Sequence, residues 1–470
     1  MKTKQKSFIF DLNRCTGCGA CIVACSIENY QKQDANLRQI YTFNETRHPE
    51  IPLFNLSMAC NHCGEPACMK SCPAAAITKD TETGAVTVDP DRCFGCKYCT
   101  WACPYDAPQY NDDKRIIEKC DFCIERLKKD EAPACVCSCP TNALHLGDFD
   151  PDTPSQKIAG FTNTKLQPAI QFKELRARGQ TPESTSPPPG KSVTELFESS
   201  QNIPRPKISL KSEWALLIFT SIAFVLVAML AAAILKPLSL NPFLILGLGA
   251  AAMVLGTVHL GKKSRALNAI RNLRNSWLSR EIVLFSAFIG IAFIYLKFLS
   301  QFPVFGWTAM VIGFLSLYSI DRIYQVAMQT TPLNFHSAHT LFNGLFLSGA
   351  LLGNILVFAI PGLVKLSLYL YRKIHFKRQG RNIRPIIGFL RILFGFIIPL
   401  IIFLLNPEIA KEINIMGIYG ILVASVLIGE LIDRTEYYDE LDIVTPRMQM
   451  LIDLELLLKT TKGTKNTKKT

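Results

Sequence analysis

Sixteen cysteines in four short groups carry the chemistry of this sequence. They are Cys15, Cys18, Cys21 and Cys25; Cys60, Cys63, Cys68 and Cys72; Cys93, Cys96, Cys99 and Cys103; and Cys120, Cys123, Cys135 and Cys139. Three thiolates spaced as in Cys93-x2-Cys96-x2-Cys99 wrap one corner of an iron–sulfur cubane and reach three of its irons. The cysteine three residues further on begins a helix and points towards a different cluster. The groups predict four [4Fe–4S] clusters and, with them, one-electron transfer. Zinc is the competing reading of CxxC pairs. Against it, the third group shows the full CxxCxxCxxxC-Pro run, and the first departs from that run only in having Ser26 for the proline. Cys137, the seventeenth cysteine, lies between two ligands of the fourth group and reads as a spare buried thiol.

All 17 cysteines of the 470-residue chain lie between Cys15 and Cys139. A disulfide scaffold would be short and cysteine-bearing throughout. Residues 1–148 therefore form one domain, which short strands must hold together. Ala76-Ile77-Thr78 and Ala85-Val86-Thr87-Val88, around a turn at Thr83-Gly84, predict a hairpin. Ser7–Phe10 and Ala143–Leu146 predict a second pair, which would bring the first cysteine group beside the fourth. Residues 149–211 follow as an extended linker rich in Pro, Ser and Thr, centred on Thr181–Gly190.

Beyond the linker the composition turns apolar. Runs at Trp214–Leu235, Pro242–Leu260, Ile282–Leu299, Val304–Ile320, His339–Ile360, Ile386–Leu405 and Ile415–Ile432 each approach the roughly 20 residues that a bilayer-spanning helix needs. Residues 212–435 thus read as an all-α polytopic membrane domain of seven or eight helices, and 436–470 as a basic tail. Seven helices place the basic loops 261–281 and 361–385 on opposite faces. An eighth crossing between them would place both on the cytoplasmic side.

Charge follows the same boundary. Residues 1–150 carry 17 Lys and Arg against 20 Asp and Glu, and the remainder carries 34 against 18. The basic excess flanks apolar runs, so it is expected to orient membrane helices, and no nucleic-acid partner is expected. MKTKQKSFIF holds no long apolar stretch, and no twin-arginine pair precedes the first group, so the cysteine domain is expected in the cytoplasm, on the inner membrane.

Two crossings return the chain at His259 to the face of the cysteine domain, and Glu281 opens the next helix on that face. A histidine and a carboxylate there can accept the two protons released when a quinol is oxidised. His336 and His339 share one helix start and His375 sits among basic residues, so a bis-histidine haem is not expected. Asp321-Arg322 and Asp433-Arg434 read as interfacial ion pairs.

Cys120-Asp-Phe-Cys123, Glu125-Arg126-Leu127 and Pro133-Ala-Cys135-Val-Cys-Ser-Cys139-Pro140 resemble the four-cluster subunit of dimethyl-sulfoxide-reductase-type complex iron–sulfur molybdoenzymes. Thr257-Val258-His259-Leu260-Gly261, Ser276–Ile282 and Gly429–Arg434 with Tyr437-Tyr438 resemble the anchor subunit of the same enzymes. The resemblance implies a ferredoxin-like α+β fold of two nested bis-[4Fe–4S] modules. Its implied ligand sets are Cys15, Cys18, Cys21 with Cys139; Cys120, Cys123, Cys135 with Cys25; Cys60, Cys63, Cys68 with Cys103; and Cys93, Cys96, Cys99 with Cys72. Nitrate-reductase relatives carry Trp where this chain has Cys96, so four cubanes are implied. In the family the positions matching His259 and Glu281 are associated with menaquinol. The resemblance also implies a separate molybdopterin-containing catalytic subunit, with no terminal-substrate site in this chain. Electrons would run from the quinone pool through the clusters to that subunit in anaerobic respiration, or in reverse from a dehydrogenase into quinone.

Overall fold

A computed structural model of the chain describes residues 5–29, 37–45, 47–48, 51–150, 158–162, 164–176, 208, 210–236, 239–325, 335–378, 384–405, 416–440, 443 and 445–466. The chain divides into two units: Met1–Lys207 with Ile443–Thr470, and Ile208–Asp442.

The first unit is built on the strand Lys6–Asp11. It pairs antiparallel with Leu144–Asp148, placing Phe8 opposite Leu146. It also pairs parallel with Ile170–Lys173, placing Phe8 opposite Ile170. Alternation along the strand turns Phe8 and Phe10 into one core. Three two-stranded hairpins surround it: Gln39–Phe43 with Phe54–Met58, Ile77–Lys79 with Val86–Val88, and Gln109–Asn111 with Ile116–Glu118. Both strand pairings expected from the sequence are present.

The four cysteine loops repeat one local conformation. The residue before the second cysteine is left-handed in each: Gly17 (φ 75°), His62 (φ 40°), Gly95 (φ 69°) and Phe122 (φ 65°). Glycine meets this requirement without steric cost at two of them. At the other two, the rings of His62 and Phe122 stack on each other, 4.4 Å apart and 5° from parallel.

Two boundaries differ from the sequence reading. The range 149–211 is not linker throughout. The Thr181–Gly190 stretch lies outside the described residues, but Ile170–Lys173 is a strand of the first unit, and Phe161 and Phe172 enter its core. Phe161 stacks on Tyr105 at 5.1 Å. The range 436–470 is not simply a tail: Pro446–Asn466 is a helix. Its Met450, Leu454 and Leu458, spaced four apart along one face, are buried in the same core. The Gly160 amide donates to Asp453 Oδ2 at 2.7 Å.

The second unit is helical. Leu210–Leu235, Trp277–Phe298, Pro303–Tyr324, Ile355–Arg378 and Pro385–Leu405 are long and apolar enough to cross a bilayer. The bent pair Pro242–Val258 and Lys263–Ile270 makes a sixth candidate. Thr340–Leu352 is a shorter apolar helix, and Met416–Glu440 spans 25 residues. Leu210–Leu235 is the most enclosed of the long candidates. Leu244, Val254, Phe298 and Val304 on other helices point outward, as lipid-facing residues do.

The single span expected over His339–Ile360 is two helices. Gly353 is left-handed (φ 63°) and closes the first of them. Asn354 Oδ1 then accepts from the amides of Leu356 at 3.0 Å and Val357 at 3.3 Å, capping the second. A Cβ on Gly349 would lie 2.5 Å from the Phe358 backbone, so the hairpin closes only around glycine there. The basic loop expected over 361–385 is consequently mostly helix, with Lys365 and Arg372 buried within it.

Candidate metal centres and a buried ionic site

The cysteines sort into four sets. Cys60, Cys63, Cys68 and Cys103 line one pocket, together with Lys119 and Tyr105. Cys72, Cys93, Cys96 and Cys99 line another. The thiols that act electrostatically on Cys15 are Cys21, Cys139 and Cys18. Cys25 acts on Cys120 and Cys123, and Cys135 acts on Cys25. In every set three thiols come from one loop and the fourth from a distant one. The pairing of Lys6–Asp11 with Leu144–Asp148 carries Cys139 to Cys15.

The donor set suits an iron–sulfur cubane. Among the described residues no three His, Cys, Asp or Glu side chains converge to hold a single ion. Backbone amides instead point at sulfurs from outside: His62 to Cys60 at 3.4 Å, Ala76 to Cys72 at 3.3 Å, Phe122 to Cys120 at 3.4 Å and Ala143 to Cys139 at 3.2 Å. Such N–H···S contacts tune a cluster's potential. Burial pushes the Cys25 thiol up to about 11 and Cys123 up to about 12. Burial likewise raises Cys63, Cys68 and Cys96. Cluster-free thiols here hold their protons at neutral pH, so ligation must release them. Cys137 is exposed rather than buried, with its thiol 3.5 Å from the Ala132 carbonyl.

Two fully buried cations lie among the sulfurs. Burial works against the charge on Lys119, but Cys60, Cys68 and Cys120, once deprotonated, outweigh it and raise the pKa above its ordinary value. Arg38 is raised in the same way by Cys135, Cys120, Cys21 and Cys25. Neither residue was legible as functional, since each is a single basic residue outside any motif.

In the helical unit, Glu281 is buried in the first turns of Trp277–Phe298. The charge acting on it is Arg434. Arg434 is fully buried, with its guanidinium 5.4, 5.3 and 5.6 Å from the rings of Tyr324, Tyr437 and Tyr438. It donates to the Ala338 carbonyl at 2.7 Å, and the hydroxyls of Tyr324 and Tyr438 are 2.6 Å apart. Arg434 Nη2 and the Tyr437 hydroxyl are buried without a hydrogen-bond partner among the described residues. His259 is the C-cap of Pro242–Val258 and half-buried.

The aspartates expected at the interface are inside. Asp321 does not pair with Arg322; it accepts from the Thr340 amide at 2.7 Å and the Leu341 amide at 3.0 Å, capping their helix. Asp433 lies 3.3 Å from Arg372 and 3.2 Å from Arg391, and accepts from Ser337 at 2.9 Å. Lys365 meets Glu430 at 2.8 Å, and Arg372 meets Glu440 at 2.8 Å. Glu430, Asp433, Tyr437 and Glu440 recur every three or four residues along one helix face, as do Lys365, Tyr369 and Arg372 on another. That spacing is the signal that assigning the basic residues to a loop concealed.

Comparison with known proteins agrees with this division. Residues 52–149 match the 4Fe-4S dicluster domain, and residues 211–376 match the DMSO reductase anchor subunit. One component of the anaerobic dimethyl sulfoxide reductase of Escherichia coli (strain K12) is 43% identical over 156 residues, 32% of this chain and 76% of that protein. A subunit of the sulfite dehydrogenase of Allochromatium vinosum is 35% identical over 171 residues, 32% of this chain and 71% of the relative. A subunit of the tetrathionate reductase of Salmonella typhimurium is 42% identical over 155 residues, 33% and 61% respectively. This protein belongs to the iron–sulfur subunits of the dimethyl-sulfoxide-reductase family, and carries the membrane anchor domain of those enzymes in the same polypeptide.

Proposed function

We propose that this chain draws electrons from menaquinol and passes them singly through four [4Fe–4S] clusters to a separate molybdopterin-containing catalytic subunit. The observation that carries the reading is the coexistence of four thiol sets with a buried Glu281–Arg434–tyrosine site in an apolar helical unit. Oxidation of one quinol yields quinone, two electrons and two protons. Glu281 is the acceptor for one proton and His259 for the other. The unpartnered Tyr437 hydroxyl and Arg434 Nη2 are the donors for a quinone oxygen. The reading needs no haem.

The reverse direction, from a catalytic dehydrogenase into quinone, is the second reading. It is favoured by the relative that is named as part of a sulfite dehydrogenase. Cluster potentials decide between the two.

The membrane reading has eight crossings. The first unit contains chain from both flanks of the helical unit. A water-soluble unit lies on one side of a bilayer, so the number of crossings is even. Counting Thr340–Leu352 and Ile355–Arg378 separately supplies the eighth. Both basic stretches then follow an even-numbered crossing and fall on one face, the cytoplasmic face of the inner membrane by the positive-inside rule.

The test is purification from native membranes with the co-purifying large subunit, followed by reduction of the clusters with a menaquinol analogue. A large subunit lacking molybdopterin, or clusters that the quinol leaves oxidised, overturns the leading reading.

A further inference from the structure

The two buried cations among the described residues of the cluster domain occupy matching places. Each sits between two cysteine sets rather than inside one. The Arg38 guanidinium is acted on by Cys135, Cys120 and Cys25 of one set and by Cys21 of another. It donates to Ser57 Oγ at 3.0 Å, and Ser57 Oγ lies 3.3 Å from Cys21 Sγ. Arg38 also acts electrostatically on the Cys135 thiol. The Phe8 ring, 5.0 Å away, covers the cation. Lys119 repeats this one junction along. Its ammonium is acted on by Cys60 and Cys68 of one set and by Cys120 of another. It donates to the Cys120 carbonyl at 2.8 Å and to the Val86 carbonyl. At the same junction His62 places Nε2 3.6 Å from Cys120 Sγ, while its own amide donates to Cys60 Sγ. Lys79, by contrast, is half-buried and serves a single set, donating to the Cys63 carbonyl at 3.1 Å.

A [4Fe–4S] centre on four thiolates gains one negative charge on reduction. A fixed positive charge in a low-dielectric interior stabilises that added electron, and so raises the centre's potential. A cation shared by two centres stabilises the electron on either side of the junction.

We propose that Arg38 and Lys119 are positioning residues of the electron wire, each setting the potentials of the two centres it separates and keeping them matched for transfer. The inference rests on the four-centre reading above. It has a pairwise signature. Arg38 acts on the Cys15/Cys18/Cys21/Cys139 and Cys120/Cys123/Cys135/Cys25 centres. Lys119 acts on the latter and on Cys60/Cys63/Cys68/Cys103. The Cys93/Cys96/Cys99/Cys72 centre is touched by neither.

The experiment is a redox titration followed by electron paramagnetic resonance, on the full chain purified with its catalytic subunit, with iron content measured in parallel. Lys119→Gln keeps a donor for the two carbonyls but removes the charge. It is expected to move two of the four midpoint potentials to more negative values. Arg38→Gln is expected to move a different pair, sharing one centre with the first. The charge-preserving Lys119→Arg and Arg38→Lys variants are expected to stay close to the unmutated potentials. Four unmoved potentials at full iron content, or four equal shifts, overturn the inference. A charge-preserving variant that shifts as far as its Gln counterpart also overturns it; where a Gln variant loses iron, Lys119→Arg or Arg38→Lys potentials displaced from the unmutated values overturn it. Iron short of four centres in the unmutated protein sinks the underlying reading instead.

Discussion

Lys365 Nζ and Glu430 Oε2 stand 2.8 Å apart, with both side chains fully enclosed in the helical unit. Lys365→Ala leaves Glu430 buried with Arg391, at 3.3 Å, as its remaining cation, and so unbalances the charge of a low-dielectric interior. It is expected to destabilise the unit by up to about 3–5 kcal/mol, the usual cost of breaking a buried pair. Pairing Lys365→Met with Glu430→Leu is expected to recover most of that loss, because Arg391 retains Asp433 at 3.2 Å. Thermal unfolding in detergent checks both. A double variant as unstable as the single one would show that the pair does more than satisfy itself.

Arg434 is the charge acting on Glu281 inside the same unit. Glu281→Gln keeps the shape but removes the proton acceptor. Quinol-driven reduction of the clusters is expected to slow by about 10²–10⁴-fold, the range general-base removal typically costs. Iron content and dithionite reduction should be unchanged. A variant that still turns over quinol at the original rate would remove Glu281 from the proton path.

Cys72 follows Cys68 closely in the chain, yet it lines the cavity of Cys93, Cys96 and Cys99. Cys72→Ser is expected to disturb the centre of the third cysteine group and to leave that of its own group intact. Spectra of the single variant, set against Cys103→Ser, read this directly. Loss of the Cys60 centre in Cys72→Ser would contradict the crossed arrangement.

Much of this was legible because metal ligation imposes spacing on sequence. The cysteine groups, the strand Lys6–Asp11 and its partner Leu144–Asp148 all follow from local pattern. What stayed hidden depends on tertiary context. Apolar sequence runs through Gly353-Asn354 almost without interruption, so the two caps that split the helix leave little mark on hydropathy. Lys365, Arg372, Glu430 and Asp433 read individually as surface charges, and only partners from other helices allow them inside. Ile170–Lys173 is four residues long and finds its pairing with Lys6–Asp11, more than 150 residues away. Arg38 and Lys119 acquire meaning only when folding places sulfurs from two sets around each.

The C-terminal helix makes the membrane topology testable. Met450, Leu454 and Leu458 belong to the core of the domain that also contains Phe8 and Phe10. A chain that leaves this domain, crosses the bilayer and returns to it must cross an even number of times. Tags placed at the two ends are therefore expected to be reached by protease from the same side of sealed membrane vesicles. A reporter in the Gly353-Asn354 turn is expected to be reached only from the opposite side, because the fifth of the eight proposed crossings ends there. Leu454→Asp should free the C-terminal helix from the core, making it protease-sensitive without changing the side on which it is found. End tags on opposite sides would require an odd count, and would contradict the docking of Pro446–Asn466 on the cluster domain.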